Sequence, residues 1–397
     1  MTFPKGFLWG VATSSHQIEG NDVLSDWWKY EEMGRIGKNV KSGAACDSWN
    51  KWRLDNEWVE KLGLNAYRFS VSWARIEPKE GQWNGQAVEH YRSIIRDLNK
   101  RKVKVVVCLH HFVNPRWFTD QGGWERPGNV DYFVRFAKRL TGEIGKGVDY
   151  WITFNEPMVL LTGYALGVWP PFKRNPRLAK RVVGNLATAH ARAYKAVHEV
   201  RKDARVGVVM AMTKYEAAGW GTGWLAGYLD KTINHWFLDR VRDELDWVGV
   251  NYYARLRLKW DTKWLWAVLW GKKSENLKMP GEGGWRSPVM GLEVYPEGLR
   301  WAIEAVEDIG KPILVSENGY EDGDDKKRIK FIKAHLQVLD QCLREGKDVR
   351  GYFYWSLLDN FEWTFGYGPK FGLLTRDRKP KESALVFKSA IRDRKDK

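Results

Sequence analysis

Eight short apolar runs alternate along this chain with segments of helical spacing, and this alternation most constrains the fold. The runs are continuously apolar, which is typical of parallel strands buried on both faces. They occupy residues 7–13, 66–71, 103–109, 150–154, 206–210, 247–251, 312–316 and 351–356. Between them, residues 87–98, 130–144 and 326–343 place apolar side chains along one helical stripe. The alternation predicts an α/β fold in which helices cover parallel strands.

The connections between the runs decide between two arrangements of such strands. A two-domain, doubly wound fold needs a linker or a glycine-rich phosphate loop after a strand. The sequence contains neither GxGxxG nor GxxxxGK, and it shows no low-complexity linker and no internal repeat. We therefore predict a single (β/α)8 TIM barrel that spans residues 1–397 as one domain.

Charge and tryptophan content bear on what the chain binds. The 65 basic and 49 acidic side chains give a net charge of +16, which attracts polyanions or raises solubility. The basic segment 376–397 is interpreted as a mostly solvated helix rather than a nucleic-acid arm, so we expect no nucleic-acid partner. The 24 tryptophans offer flat apolar faces that stack well on sugar rings.

Cysteine usage and the N-terminal segment bear on the compartment. Cys46, Cys108 and Cys342 are odd in number and form no CxxC motif, so a disulfide framework is not expected. Cys108 lies inside an apolar run and is predicted to be a small core residue. Residues 1–10 lack the pattern of a secretory signal, and no apolar run approaches the roughly 20 residues that span a bilayer. We expect a reducing, cytoplasmic location.

Polar residues follow the apolar runs at the point where parallel barrel strands carry their chemistry. The fourth run is followed by Asn155, Glu156 and Pro157, and the seventh by Glu317, Asn318 and Gly319. One glutamate after a strand is usually a solvated loop residue. Two of them at one barrel mouth suit cleavage of a glycosidic bond, because one carboxyl donates a proton to the leaving oxygen while the other attacks or supports the anomeric carbon.

The motifs around these glutamates resemble the two signatures of glycoside hydrolase family 1, the retaining β-glucosidase and β-galactosidase family. They are TFNEP at 153–157 and SENG at 316–319. Five further segments match the family in order, namely FLWGVATSSHQIEG at 7–20, YRFSVSWARIEP at 67–78, GGW at 122–124, GVNYY at 249–253 and YWSLLDNFEW at 354–363. The resemblance covers nearly the whole chain and implies the barrel fold and a retaining β-glycosidase activity.

The resemblance also implies a role for individual residues. Glu156 corresponds to the general acid/base and Glu317 to the nucleophile, which Arg68 and Tyr253 position. The residues expected to bind the sugar are Gln17, His111, Asn155, Asn251, Trp355, Glu362 and Trp363. A cis peptide bond between Trp355 and Ser356 is implied as well.

The substrate expected from the resemblance is a small neutral β-D-glycoside with glucose, galactose or fucose at the cut position. Family members that cleave 6-phosphosugars replace the residue at Glu362 and carry a Ser and Lys cluster downstream. Here Glu362 is intact and residues 364–373 lack that cluster, although Lys370 is basic. A carboxylate at this point repels phosphate. A catalytically silent, carbohydrate-binding barrel is the alternative, and the presence of both glutamates argues against it.

No cofactor and no metal ion are expected. His110 and His111 form a candidate metal pair, but no HExxH motif or third ligand is spaced for it. His190 and His198 lie on a helical pattern and are interpreted as structural.

Three segments depart from the family pattern. Phe112, Val113 and Asn114 follow His111 where the family often has Trp-Asp, so stacking is kept while an indole donor is lost. Residues 234–251 form a connection after the fifth strand that is shorter than is normal in the family, so the chain is compact. This shortness predicts that barrel closure is weakened, or that formation of a homo-oligomer compensates for it. The tryptophan-rich stretch 259–273 is interpreted first as a lid wall, next as a dimer contact and last as a membrane contact.

Overall fold

A closed barrel of eight parallel strands forms the centre of the computed structural model, which describes residues 3–37, 39–259 and 285–395. The strands pair in chain order, and β8 pairs with β1 to close the barrel. They are β1 Leu8–Ala12, β2 Ala66–Ser70, β3 Lys104–His110, β4 Tyr150–Asn155, β5 Val206–Ala217, β6 Trp247–Leu258, β7 Ile313–Asn318 and β8 Val349–Trp355. The predicted (β/α)8 fold is confirmed.

Helices connect the strands and cover the barrel. Those described are Ser15–Ile18, Asp26–Glu32, Ser48–Lys61, Trp73–Ile76, Gly85–Lys100, Arg116–Asp120, Val130–Ile144, Leu161–Tyr164, Pro176–Val200, Gly223–Leu229, Leu238–Val241, Glu297–Glu304, Asp325–Arg344 and Glu382–Lys395, with a π-helix at Asp230–His235. All three predicted amphipathic segments are helices. Two of these begin at side chains that accept backbone N–H groups, Asn84 from Gln86 and Ala87, and Asp324 from Lys326.

Alternate residues of each strand enter two separate apolar layers, which explains why the runs are continuously apolar. Inside the barrel, Val106 and Cys108 of β3 pack with Ile152, Val209 and Leu314 of other strands. Their neighbours in sequence face outward and pack against the surrounding helices. Cys108 is therefore a small core residue as predicted, and all three cysteines are buried and free.

Barrel closure beside the short connection is intact, and the expectation of weakened closure is wrong. Strands β5 and β6 pair from Gly207 opposite Trp247 up to Ala217 opposite Leu258. At twelve residues each, β5 and β6 are the longest strands of the barrel, and they pair along most of their length. The short connection between them therefore does not prevent them from pairing. The tryptophan-rich stretch, from Trp260 onward, lies outside the described residues.

The basic C-terminal segment folds as a helix, Glu382–Lys395, but the prediction that it is mostly solvated is wrong for one face. Ala384, Phe387 and Ile391 are buried. The Phe387 ring packs against Trp9 and two tyrosines of β8, because the apolar side of the helix covers the gap between the first and last strands. Within the described part of the chain, no helix combines the length and apolarity needed to cross a bilayer.

Candidate active site

Glu156 and Glu317 line one cavity of about 230 Å³ at the mouth of the barrel, the face formed by the carboxyl ends of the strands. Glu156 directly follows β4, and Glu317 is the penultimate residue of β7. The other residues that line the cavity are His111, Phe112, Asn155, Trp169, Ala211, Tyr253, Met290, Leu292, Trp355, Glu362, Trp363, Phe365 and Phe371. Parallel strand ends converge here, so residues far apart in sequence face the same space.

Glu317 lies in an environment that stabilises its anionic form. Arg68, fully buried on β2, forms an ion pair with one carboxylate oxygen. The hydroxyl of Tyr253 donates to the other oxygen at 2.6 Å. Burial, followed by the charge of Glu317, raises the pKa of Tyr253 well above its usual value, so the phenol keeps its proton as a donor. A carboxylate held between a guanidinium and a hydroxyl is suited to nucleophilic attack.

Glu156 lies in the opposite kind of environment. Burial, followed by the negative charge of Glu317, raises the pKa of Glu156 to about 8. Asn251 donates a hydrogen bond to the carboxyl group of Glu156 at 2.7 Å. Glu156 therefore carries a proton at neutral pH. Two carboxyl groups whose surroundings favour different protonation states form an acid and a base within one cavity.

A chain of buried side chains connects the two carboxyl groups. Asn251 bonds to Glu156 and also donates to Asn155 Oδ1 at 3.2 Å. Arg68 donates to the same oxygen of Asn155 at 2.6 Å and pairs with Glu317. Because the connecting side chains Arg68, Asn155 and Asn251 are buried, they hold both carboxyl groups in a defined relation to each other.

The predicted sugar-binding residues form two groups in the structure. His111, Asn155, Trp355, Glu362 and Trp363 line the cavity itself. Gln17 and Asn251 are not part of this lining but contact it, since Gln17 donates to Glu362 and Asn251 donates to Glu156. Arg68 likewise lies outside the lining and contacts Asn155 and Glu317.

Gln17 and Glu362 form a polar corner of the site. Gln17 donates to Glu362 at 3.1 Å and to the carbonyl of Phe361 at 2.9 Å. Burial, followed by the charge of Glu317, raises the pKa of Glu362 to about 8. Burial and the Arg68 guanidinium lower the pKa of His111 well below its usual value, so this imidazole is neutral. Neutral and hydrogen-bonded groups of this kind suit hydroxyl recognition.

Trp355 ends β8 at the cavity, and its peptide bond to Ser356 is cis, as the resemblance implies. The imidazole of His111 stacks at 6.0 Å from the Trp355 ring. A Cβ at Gly319 would meet the Trp355 carbonyl oxygen at 2.0 Å, so only glycine lets the chain after Glu317 pass this close.

Three residues of the cavity lining have backbone torsions that are uncommon outside glycine. Their φ angles are 68° at Phe112, 47° at Glu156 and 48° at Trp363. Such conformations cluster at functional sites, where surrounding packing maintains them.

Comparison with known proteins agrees with this site. The model of glycosyl hydrolase family 1 matches residues 1–222 and 227–396. β-Glucosidase A of Thermotoga maritima is 32% identical over 98% of both proteins. A solved β-glycosidase from Pyrococcus horikoshii is 36% identical with a TM-score of 0.89, covering 99% of this chain and 95% of that one. The solved structure of T. maritima β-glucosidase with bound glucoimidazole is 31% identical in sequence and has a TM-score of 0.90. The match covers 99% of both chains.

The chain belongs to glycosyl hydrolase family 1. It is a retaining β-glycosidase, and the alternative of a catalytically silent carbohydrate-binding barrel finds no support among these relatives. Some relatives are named for a different sugar. A β-galactosidase of Pyrococcus woesei is 29% identical over 98% of this chain and 97% of its own length.

Several residues of this family 1 site were not found from the sequence. They are Trp169, Ala211, Met290, Leu292, Phe365 and Phe371. The aromatic and proline-rich WPPF at 169–172, soon after β4, is the one signal that indicates such a role. Phe112, where the family often has tryptophan, packs its ring edge-on against Trp169 and Trp363 at 5.4 and 5.3 Å.

His110 of the candidate metal pair, and His190 and His198, which the sequence analysis interpreted as structural, all have hydrogen-bond partners within the protein. His110 bonds to Asn114 at 3.0 Å, and His190 bonds to Thr153 at 2.6 Å and to the Glu244 carbonyl at 2.7 Å. His198 bonds to the Tyr194 carbonyl, also within a helix. Among the residues that the structure describes, no three side chains of the types that ligate metals are grouped together.

Tyr253→Phe is expected to lower kcat for an aryl β-glucoside about 10- to 100-fold, because a hydrogen bond to a charged group contributes about 1.5–3 kcal/mol. Steady-state kinetics measures the effect. Tyr252→Phe is the matched control, since that hydroxyl donates to the Tyr295 carbonyl outside the cavity. Equal losses of kcat in both variants would contradict a role for Tyr253 in holding Glu317.

Proposed function

We propose that this enzyme removes terminal non-reducing β-D-glucose from neutral glycosides by double displacement, with Glu317 as nucleophile and Glu156 as general acid/base. The observation that carries the proposal is the contrast between the two glutamates of one cavity. Glu317 is paired with Arg68 and Tyr253, whereas burial raises the pKa of Glu156 to about 8. This contrast supplies one anion and one proton donor at the same pH.

In the first step, the Glu317 carboxylate attacks the anomeric carbon while the bond to the leaving oxygen breaks. Glu156 transfers its proton to that oxygen, and the aglycone departs as an alcohol. A covalent glycosyl-enzyme ester remains on Glu317. The charge of Glu317, which together with burial raised the pKa of Glu156, is then gone, so Glu156 stays ionised and is in the form that can accept a proton in the second step.

In the second step, Glu156 accepts a proton from a water molecule as the water oxygen attacks the anomeric carbon. The ester bond to Glu317 breaks, the sugar leaves with its original β configuration, and both glutamates return to their starting states. The number of protons balances over the cycle, and no cofactor is required.

The sugar is held by the polar corner and by an aromatic face. Gln17 and Glu362 are suited to adjacent hydroxyl groups, with His111 and Asn155 on the neighbouring side. Trp355 offers its flat face to the ring of the sugar. The remaining cavity lining, which includes Trp169, is mostly apolar and suits an aryl or alkyl leaving group.

A panel of p-nitrophenyl glycosides tests the substrate class. We expect the highest kcat/KM on the β-glucoside, with the β-galactoside and β-fucoside next and the β-mannoside lower. The 6-phospho-β-glucoside is expected to be at least about 100-fold poorer than the β-glucoside, since the described cavity lining contains no lysine or arginine to pair with its phosphate. A panel led by the 6-phosphosugar, or no hydrolysis at all, would contradict the proposal.

The proposal extends to the cellular location and to the domain organisation. Three buried, free cysteines support a reducing compartment and hence a cytoplasmic location. The domain proposal is that residues 1–397 act as one catalytic domain, which the near-complete match to the family model supports.

A further inference from the structure

Large apolar side chains that are exposed to solvent concentrate at the mouth of the barrel. Of the thirteen identified among the described residues, ten lie between the carboxyl end of β1, β4, β5, β6 or β8 and the barrel-covering helix that comes later on the same segment, whereas Leu54, Val200 and Leu385 lie on such helices. These ten are Val23, Leu24, Met33, Leu166, Val168, Trp220, Trp224, Tyr228, Val289 and Phe365. Single exposed apolar residues are ordinary, whereas a set gathered at one end of a protein marks an interaction surface.

The segment after β5 carries the most exposed members of this set. Trp220, Trp224 and Tyr228 are spaced by four residues and are 95%, 65% and 59% exposed. We call these three residues the aromatic stripe. The helix Gly223–Leu229, which holds two of them, has no buried residue. Tryptophan and tyrosine with this exposure favour the headgroup level of a lipid bilayer, where an apolar ring and a polar N–H or O–H are both accommodated.

Positive charge lies on the neighbouring segment, which follows β4. Residues 157–198 contain seven lysines and arginines and no aspartate or glutamate. Lys173, Arg174 and Arg177 are exposed at the start of the long helix Pro176–Val200, and we call them the basic ridge. Lys173 has a distant partner in Glu125, at 3.7 Å. Strands β4 and β5 are adjacent in the barrel, so the basic ridge and the aromatic stripe follow neighbouring strands.

We propose that the mouth of the barrel docks on the surface of an anionic lipid bilayer. The aromatic stripe lies at headgroup level, and the basic ridge contacts negatively charged headgroups. Aromatic residues combined with lysine and arginine are the chemistry of peripheral membrane binding. A second copy of this chain fits the same face less well, since it would set two basic ridges and two net charges of +16 against each other.

The surface formed by the aromatic stripe and the basic ridge does not include the tryptophan-rich stretch 259–273. Residues 260–273 lie outside the described residues and do not enter the argument. The exposure of the aromatic stripe and its position beside the basic ridge became visible only in the fold. Docking in this orientation turns the cavity toward the bilayer, but the binding itself requires no sugar chemistry.

Co-sedimentation with vesicles tests the proposal. The intact protein is expected to bind vesicles of phosphatidylglycerol and phosphatidylcholine at low salt, with weaker binding at high salt and to pure phosphatidylcholine. Arg174→Ser with Arg177→Ser should lower the partition coefficient about 30-fold, at about 1 kcal/mol per cation. Serine at Trp220, Trp224 and Tyr228 together should lower it about tenfold or more.

Matched variants on other faces serve as controls. Leu54→Ser with Leu385→Ser removes two exposed apolar side chains from helices outside the mouth. Lys100→Ser with Lys146→Ser removes two cations from the opposite end of the barrel. Both pairs should bind vesicles as the parent protein does. All variants should keep hydrolysis of soluble p-nitrophenyl β-glucoside, which reports folding and keeps this test separate from that of the proposed function.

Three outcomes would overturn the inference. The first is no binding of the parent protein to the anionic vesicles at low salt. The second is an equal loss of binding in the control pairs. The third is concentration-dependent dimerisation that the triple serine variant abolishes, without vesicle binding, because the occupant would then be a second copy of the chain.

Discussion

Glu317→Gly is expected to lower kcat for an aryl β-glucoside by at least about 10⁴-fold, because it removes the carboxylate that forms the covalent intermediate. Azide should restore turnover, since the small anion enters the space left by the carboxylate and attacks the anomeric carbon from the same face. The product should be the α-glycosyl azide, with inverted configuration. Proton NMR of the product together with the recovered rate measures both effects.

A neighbouring carboxyl group provides the control for azide rescue. Glu321 follows Glu317 by four residues, is buried, and accepts the backbone N–H groups of Val289 and Met290. Glu321→Gly should displace that loop, and azide should not restore whatever activity is lost. Near-normal activity of Glu317→Gly, or a β-configured azide product, would refute the assignment of the nucleophile.

Glu156→Gln is expected to lower kcat/KM about 10²- to 10⁴-fold, the usual contribution of a general acid. The loss should be greatest for alkyl glucosides, whose leaving oxygen needs the proton, and least for dinitrophenyl glucoside. In the parent enzyme, the protonated form of Glu156 prevails below its pKa of about 8 and disappears above it. The rate should therefore fall as pH rises through about 8, and this decline should be absent in the variant.

Two further carboxyl groups with raised pKa values test the origin of that decline. Burial raises the pKa of Glu19 to about 7, but Tyr91 and Arg75 hold this group outside the cavity. Glu362 lies inside the cavity with a pKa of about 8. Glu19→Gln and Glu362→Gln should each keep the decline of kcat at high pH. If the decline persists in Glu156→Gln and vanishes in Glu362→Gln, the titrating proton belongs to Glu362, and the assignment of Glu156 as the general acid is contradicted.

The positions of the strands could be read from the sequence where both faces of a strand are apolar. Strands β5 and β6 are the exceptions, because each runs about seven residues past its predicted end at 210 and 251. These extensions carry polar residues, and ion pairs such as Arg255 with Glu216 and Glu293 hold them. Charged residues that form ion pairs only after folding are not typical of strands in a sequence, so the extensions of β5 and β6 could not be predicted from it.

The part of the cavity lining formed by Met290 and Leu292 could not be predicted for a related reason. These residues carry no motif, and their loop reaches the cavity because Glu321 accepts two of its backbone N–H groups. The C-terminal helix shows the same limit, since its few apolar residues find a partner surface only once β1 and β8 have met.

The sequence by itself determined the barrel, the family and the pair of glutamates, because strand order and side-chain type at strand ends are local properties. Only the tertiary structure decided how these two identical side chains differ. Arg68 reaches Glu317 across 249 residues of chain, and Asn251 reaches Glu156 across 95. Protonation depends on burial and on the charges within a few ångströms, and those neighbours exist only after the strands have closed.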